Sequence, residues 1–240
     1  MILSREITYQ DHATICRGFI AYDNNLTNPK PCVMVAHDWG GRNEDACNKA
    51  QKLATMGFIG FAIDMYGQAQ LGQDKIEKRA LMTPLVQNRK KLAARILAAF
   101  TTATQLPQVD KTKIAVIGYC FGGLCALDLA RTGADVKGVV SFHGILTAPE
   151  EEEERKKLKA KILVLHGYDD PLVLPEQVNQ FAQEMTTRKA DWQIHMYGLT
   201  AHSFTNPEAN DDEMGLHYNE TADRRSWISM ELFLNELFAN

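Results

Sequence analysis

At 240 residues, with 45% hydrophobic and 23% charged, the chain has the apolar content for one core and the charge for solubility, which predicts a single domain over residues 1–240 and excludes a disordered chain. Acidic residues outnumber basic ones, 30 to 26, for a formal net charge of -4, so no nucleic-acid or anionic-membrane partner is expected. The N-terminal "MILSREITYQ" breaks any signal-like apolar stretch with charged and polar residues, and no apolar run approaches membrane-spanning length, which predicts a cytoplasmic protein.

In chain order, "ICRGFIAY", "PCVMVAHD" and "GFIGFAIDMYG" are short apolar runs bounded by Gly, Pro, Asn or Asp, and they predict strands. Between the last two, "GRNEDACNKAQKLATMG" spaces alanines, leucine and methionine among charges ahead of a glycine, an amphipathic helix with a stop. From Thr83 to about Ala103, a threonine cap, a first-turn proline and strong helix formers predict one long helix. "KIAVIGYCFGGLCALDLARTG" then reads as strand, glycine-framed turn and helix. Further strands follow at "VKGVVSFHG", "KILVLHGYDD" and "DWQIHMYG", with helices at "QVNQFAQEM" and near "SWISMELFLNELFA". In "EEEERKKLK", Glu151 with Arg155, Glu152 with Lys156 and Glu153 with Lys157 stand at helical spacing and predict a solvated helix. The alternation implies an α/β fold: a mostly parallel central sheet with helices on both faces and no large separate cap domain.

The five cysteines, at 16, 32, 47, 120 and 125, are an odd number with no CxxC pair or metal-ligand spacing, which argues against structural disulfides and zinc. Cys125 lies on the helix after the turn, among Leu124, Leu127 and Leu129, and is expected to be buried packing. His37, His143 and His166 each follow an apolar run, where histidines more often hydrogen-bond locally than hold a metal.

In a parallel sheet, ligands gather beyond the carboxyl ends of the strands. Residues 118–122, GxCxG, are the nucleophile-elbow pattern with cysteine in the serine position, and they stand between a predicted strand and a predicted helix. The helix N-terminus beyond Cys120 favours negative charge there. Asp170 and His202 follow in the order acid then histidine, each after a predicted strand, so Cys120 is the candidate nucleophile, His202 the base and Asp170 the residue that orients it. Asp169 is a rival to Asp170, which keeps the HGxxD spacing. The Trp39 and Phe121 backbone N–H groups are the candidate oxyanion donors.

These stretches, "GFIAY", "HDWGG", "DMYG", "GYCFGG", "HGYDDPLVLPEQV" and "AHSFTNP", together resemble the dienelactone hydrolase family of the α/β-hydrolase superfamily over nearly the whole chain. The resemblance implies an α/β-hydrolase fold and a hydrolase of a small-molecule carboxylic ester or lactone. It also implies a thioester acyl-enzyme on Cys120 and no metal or organic cofactor. Two positions depart from the family. Asp38 stands where a glutamate often modulates the resting thiol. Asn206 stands where dienelactone-specific enzymes carry an arginine for the substrate carboxylate, and a neutral amide does not replace that charged pair. Tyr66, Phe142, His143 and Asn206 are candidates for the substrate pocket, with packing as the alternative for the aromatic side chains, and the pocket's shape is expected to depend on loops at 67–80 and 205–220. Acyl transfer from the same acyl-enzyme is an alternative reaction. A thiol redox-sensing or binding protein on the same fold is another, although it has no evident use for Asp170. Composition and motif carry no information on oligomeric state.

Overall fold

The structure is a computed structural model that describes residues 1–150 and 157–239, so the charge pairs expected from Glu151, Glu152 and Glu153 lie outside the described residues. The chain forms two compact units, Met1–Ile117 and Gly118–Asn240.

In the first unit, β1 (Ile2–Asp11) and β2 (Thr14–Asp23) make an antiparallel hairpin with Tyr9 opposite Cys16. The sequence reading did not anticipate β1. Its buried Ile7, Tyr9 and Asp11 alternate with exposed polar residues, a half-buried pattern too thinly apolar to stand out. β3 (Lys30–Ala36) and β4 (Ile59–Ile63) pair in parallel, Val33 beside Gly60 and Val35 beside Ala62. All five residues of β4 are buried, as an unbroken apolar run requires. The connecting α1 (Glu44–Thr55) is capped by the Asn43 side chain, which accepts from the Ala46 N–H at 3.1 Å, and it packs against β4, β2 and β3.

The single helix expected from Thr83 is two helices, α2 (Lys75–Val86) and α3 (Arg89–Gln105). Thr83 and Pro84 sit near the end of α2 rather than at a helix start. Asp74 is the N-cap of α2, accepting from the Ile76 and Glu77 N–H groups. Asn88 restarts the chain by accepting from the Lys91 N–H at 2.9 Å. Apolar periodicity runs through the break, so caps alone mark it. The expected loop at 67–80 is correspondingly shorter, since its last six residues belong to α2. From α3, the buried Arg95 donates to Asp11 Oδ2 at 2.7 Å, Met65 O at 2.8 Å and Thr14 Oγ1 at 3.0 Å, so this buried charge is paired. β5 (Val109–Tyr119) closes the unit, whose strand order is β1-β2-β4-β3-β5.

In the second unit, α4 (Phe121–Arg131) is buried along its whole length, which explains its nearly continuous apolar sequence. Its two charged residues are paired. Arg131 donates to both carboxylate oxygens of Glu184, at 3.0 and 2.7 Å, and to Asp128 at 3.2 Å. β6 (Gly138–Phe142), β7 (Lys161–Gly167) and β8 (Asp191–Tyr197) are parallel neighbours in that order. α5 (Pro175–Thr187) lies between β7 and β8 in the chain, and α6 (Glu220–Phe238) packs against β6 and β7. Within 205–220, β9 (Asn210–Asp211) and β10 (Leu216–His217) form a short antiparallel pair. Register sets Phe142 beside Leu165 and Gly167 beside Tyr197. The residues that follow β6, β7 and β8 therefore emerge at one edge of the sheet, where the sequence stores its reactive side chains.

Candidate active site

The elbow begins where β5 meets α4. Cys120 has φ 53° and ψ -113°, a left-handed backbone that costs a non-glycine residue about 1–3 kcal/mol and is retained only where the surroundings enforce it. The surroundings do so by close packing. A Cβ on Gly118 would lie 2.0 Å from Gly122 O, and one on Gly123 would lie 2.5 Å from Ser141 Oγ and 2.9 Å from the Gly144 Cα. Both positions admit only glycine without a backbone shift. The Cys120 N–H donates to Phe142 O at 3.0 Å and its carbonyl accepts from the Gly123 N–H at 3.0 Å, so the elbow is tied to the end of β6. Cys120 is half-buried, whereas Cys125 is buried on α4.

Asp170 and His202 meet. The carboxylate Oδ2 accepts from His202 Nδ1 at 2.7 Å, with both residues essentially buried. Asp170 Oδ1 accepts from the Leu172 N–H at 2.8 Å, and the Asp170 N–H donates to Gly167 O at 3.2 Å. Asp169 is exposed, and its backbone N–H donates to Thr200 O at 3.0 Å. A carboxylate facing Nδ1 places a proton on that nitrogen, which leaves the other, Nε2, able to take or give a proton. The His202 backbone is clamped between Gly215 O, which its N–H reaches at 3.2 Å, and the His217 N–H, which donates back to it at 3.0 Å. The 210–217 hairpin thus positions the histidine.

Burial alone would push the His202 pKa down. The charge of Cys120, the hydrogen bond that Nδ1 donates to Asp170, the contact of the Cys120 side chain with the ring and the charge of Asp170 outweigh it and push the imidazole up to about 10. Among the described residues Nε2 has no partner of ordinary hydrogen-bond geometry, and charge is the foremost part of the Cys120 influence on the ring. This raised value also links to stability. The imidazolium contributes fully below the unfolded value of about 6.5, and the contribution is lost as pH rises through about 10.

Around the pair, His143 has φ 40° and donates or accepts at Thr205 Oγ1 through Nε2, 2.8 Å away. Its ring stands edge-to-face on His202 and on Phe204, each at 5.1 Å between centroids. Phe142 is buried and stacks on Tyr119 at 4.5 Å. Asn206 is exposed, and its Oδ1 accepts from the Glu208 N–H at 3.0 Å in a local turn. Burial pushes the His166 pKa down against the raising effect of Asp170. Among the described residues, no group of three or more His, Cys, Asp or Glu side chains could hold a metal ion, and no helix is long and apolar enough to cross a membrane.

The first unit holds the remaining candidates. Asp38 Oδ1 accepts from the Gly40 N–H at 2.8 Å, folding the carboxylate into its own turn. Tyr66 donates its hydroxyl proton to Trp39 O at 2.9 Å, and the Lys78 ammonium lies over the Trp39 ring at 5.5 Å. Sequence reasoning passed over two contributors. Thr205, in "HSFT", engages His143. Asp64, in "DMYG", is wholly buried and accepts from the backbone N–H groups of Arg17, Tyr66, Gly67 and Ala69 at 2.7–3.0 Å. An aspartate directly after a fully apolar strand was the available signal for the latter.

A model of the dienelactone hydrolase family matches residues 16–238. An uncharacterized protein of Caenorhabditis elegans is 40% identical over 151 residues, 62% of this chain and 96% of its own length. A putative carboxymethylenebutenolidase of Saccharolobus solfataricus is 25% identical over 271 residues, covering 98% of this chain and 99% of the relative. Among solved structures, a dienelactone hydrolase-like promiscuous phosphotriesterase from metagenomic libraries is 37% identical with a TM-score of 0.93, covering 98% of both chains.

Proposed function

The chain belongs to the dienelactone hydrolase family, with its mostly parallel α/β-hydrolase fold and its hydrolysis of small-molecule lactones or esters, and from that premise we propose that it works through a Cys120, His202 and Asp170 triad and a thioester acyl-enzyme. Cys120 Sγ attacks the carbonyl carbon, and the π pair moves to the oxygen, which accepts hydrogen bonds from the Trp39 and Phe121 N–H groups. Collapse breaks the bond to the leaving oxygen, which takes its proton from His202 Nε2. In a lactone that oxygen stays on the acyl chain. Water then gives a proton to Nε2 and adds to the thioester, the C–S bond breaks, and the acid leaves with Cys120 and His202 returned to their charged pair.

The observation that carries this reading is the buried 2.7 Å Asp170–His202 contact, which leaves Nε2 to exchange protons, with the imidazole pKa pushed up by Cys120 and Asp170. Asn206, neutral and turned into its own loop, favours uncharged esters and lactones over a dienelactone carrying a free carboxylate. The relation to a promiscuous phosphotriesterase supports a second reading, slow attack of the same thiolate on activated phosphotriesters.

The test is a panel of p-nitrophenyl esters, neutral and carboxylate-bearing lactones and an aryl dialkyl phosphate, with mass spectrometry of the protein caught during turnover. An adduct of acyl mass on Cys120, and turnover reduced by about 10^4 or more in Cys120→Ala, are expected. Wild-type turnover in that variant would sink the mechanism. Peroxide oxidation of Cys120 without ester turnover would favour a redox sensor, and product formed only with an added alcohol or amine would favour acyl transfer.

A further inference from the structure

Between β3 and α1, residues 37–41 carry the proposed oxyanion donor Trp39, and their backbone is held on both its carbonyl and its amide side. The Asp38 carbonyl faces His37 Nδ1 at 2.5 Å, the Trp39 carbonyl accepts from the Tyr66 hydroxyl at 2.9 Å, and the Gly40 carbonyl accepts from the Gly72 N–H at 3.1 Å. Three successive carbonyls are thus occupied by donors. On the amide side, the Gly40 and Gly41 N–H groups both turn back to Asp38, to its Oδ1 and its carbonyl. The Trp39 N–H has no partner among the described residues.

The donors that hold these carbonyls are themselves anchored. The Met65 N–H donates to His37 Nε2 at 3.2 Å. An amide N–H can only donate and a carbonyl can only accept, so His37 is restricted to one neutral tautomer with its proton on Nδ1. Burial, which pushes its pKa down ahead of the raising effect of the Asp38 contact, agrees with that neutral form. The His37 and Tyr66 rings also stand edge-to-face at 4.8 Å. Behind them, Asp64 ties the 64–69 turn through the Tyr66, Gly67 and Ala69 N–H groups and holds it to β2 through that of Arg17, and the Tyr9 hydroxyl accepts from the Asp64 N–H at 2.9 Å and donates to Asp64 O at 3.0 Å.

Resting on the acyl-enzyme reading above, we propose that Tyr66 and His37 are positioning residues that brace the 38–41 backbone from the Asp64-anchored turn and so keep the Trp39 N–H aimed for a developing oxyanion. A donor placed in advance costs no reorganisation as the charge forms. The brace therefore acts on the carbonyl-addition step and leaves the nucleophile's own reactivity alone.

Tyr66→Phe tests this, since it removes one oxygen and keeps the ring against His37. Expected are an acylation rate lowered about tenfold with KM held within about twofold, as for a group acting mainly in the transition state. Alkylation of Cys120 by iodoacetamide, which forms no oxyanion, should keep its wild-type rate, and amide exchange across 38–41 should quicken. Unchanged acylation, alkylation that falls in parallel with it, or unchanged exchange overturns the brace. A wild-type protein inert toward every ester would instead sink the acyl-enzyme reading, and the exchange measurement would still decide whether Tyr66 holds the loop.

Discussion

The elbow and the acid–histidine pair lie in the same unit and are held by different forces. The elbow is a steric device. Cys120 keeps its left-handed backbone because Gly118 and Gly122, and Gly123 with Ser141 and Gly144, pack with no room for a Cβ. The Asp170–His202 pair is an electrostatic device, a short buried contact whose imidazole is pushed up to about 10 by neighbouring negative charge that prevails over desolvation. Steric devices fail all at once under substitution, whereas electrostatic ones lose function while the fold survives.

The largest effect follows from breaking the first device. Gly118→Ala forces a Cβ to within 2.0 Å of a backbone oxygen, and a clash that rigid backbone cannot relieve should cost about 3 kcal/mol or more. Thermal unfolding should show a large fall in Tm together with lost turnover, and an unaltered melting curve would contradict the steric account. Next, Asp170→Asn keeps volume while removing the charge that orients His202. Turnover should drop by about 10^3 to 10^4 with the far-ultraviolet circular dichroism spectrum retained. A drop below about tenfold would mean that Asp170 is structural.

The third effect sharpens the electrostatic half. In an NMR titration, the His202 ring should remain protonated until pH approaches about 10, and Cys120→Ala should lower that midpoint, because the charge of Cys120 is the foremost raising influence. The sign carries over to stability. A lower folded pKa narrows the pH window, running from about 6.5 up to the folded value, in which the imidazolium's contribution declines. An unmoved midpoint would show that Cys120 and His202 are not electrostatically coupled.

Much of this was open to reading in the amino-acid sequence, for a physical reason. Buried parallel strands are short unbroken apolar runs, so "KIAVIGY", "VKGVVSF" and "KILVLHG" announced themselves, and whatever followed each run stood at the sheet edge. Cys120, Asp170 and His202 were named on that basis. β1 escaped because half of its side chains face away from the core and are polar. The break between α2 and α3 escaped because apolar periodicity continues through it, while the Asn88 cap is a single side-chain hydrogen bond. Asp64 was quoted within a motif, but its four backbone partners come from β2 and from the turn after β4, a convergence with no linear signature.

Local pattern by itself determined the order of strands and helices from β2 onward, apart from the α2–α3 break and the β9–β10 pair, together with the glycine-framed turn and the residue types stationed at the strand ends, because burial and backbone freedom impose short-range periods on the chain. Tertiary structure decided the rest. It buried Asp170 beside His202 and left Asp169 exposed. It turned Asn206 into its own loop, stacked Phe142 on Tyr119, and set Tyr66 against the Trp39 carbonyl. Each of these outcomes depends on which groups desolvate together across distant segments, and residue order alone does not specify that.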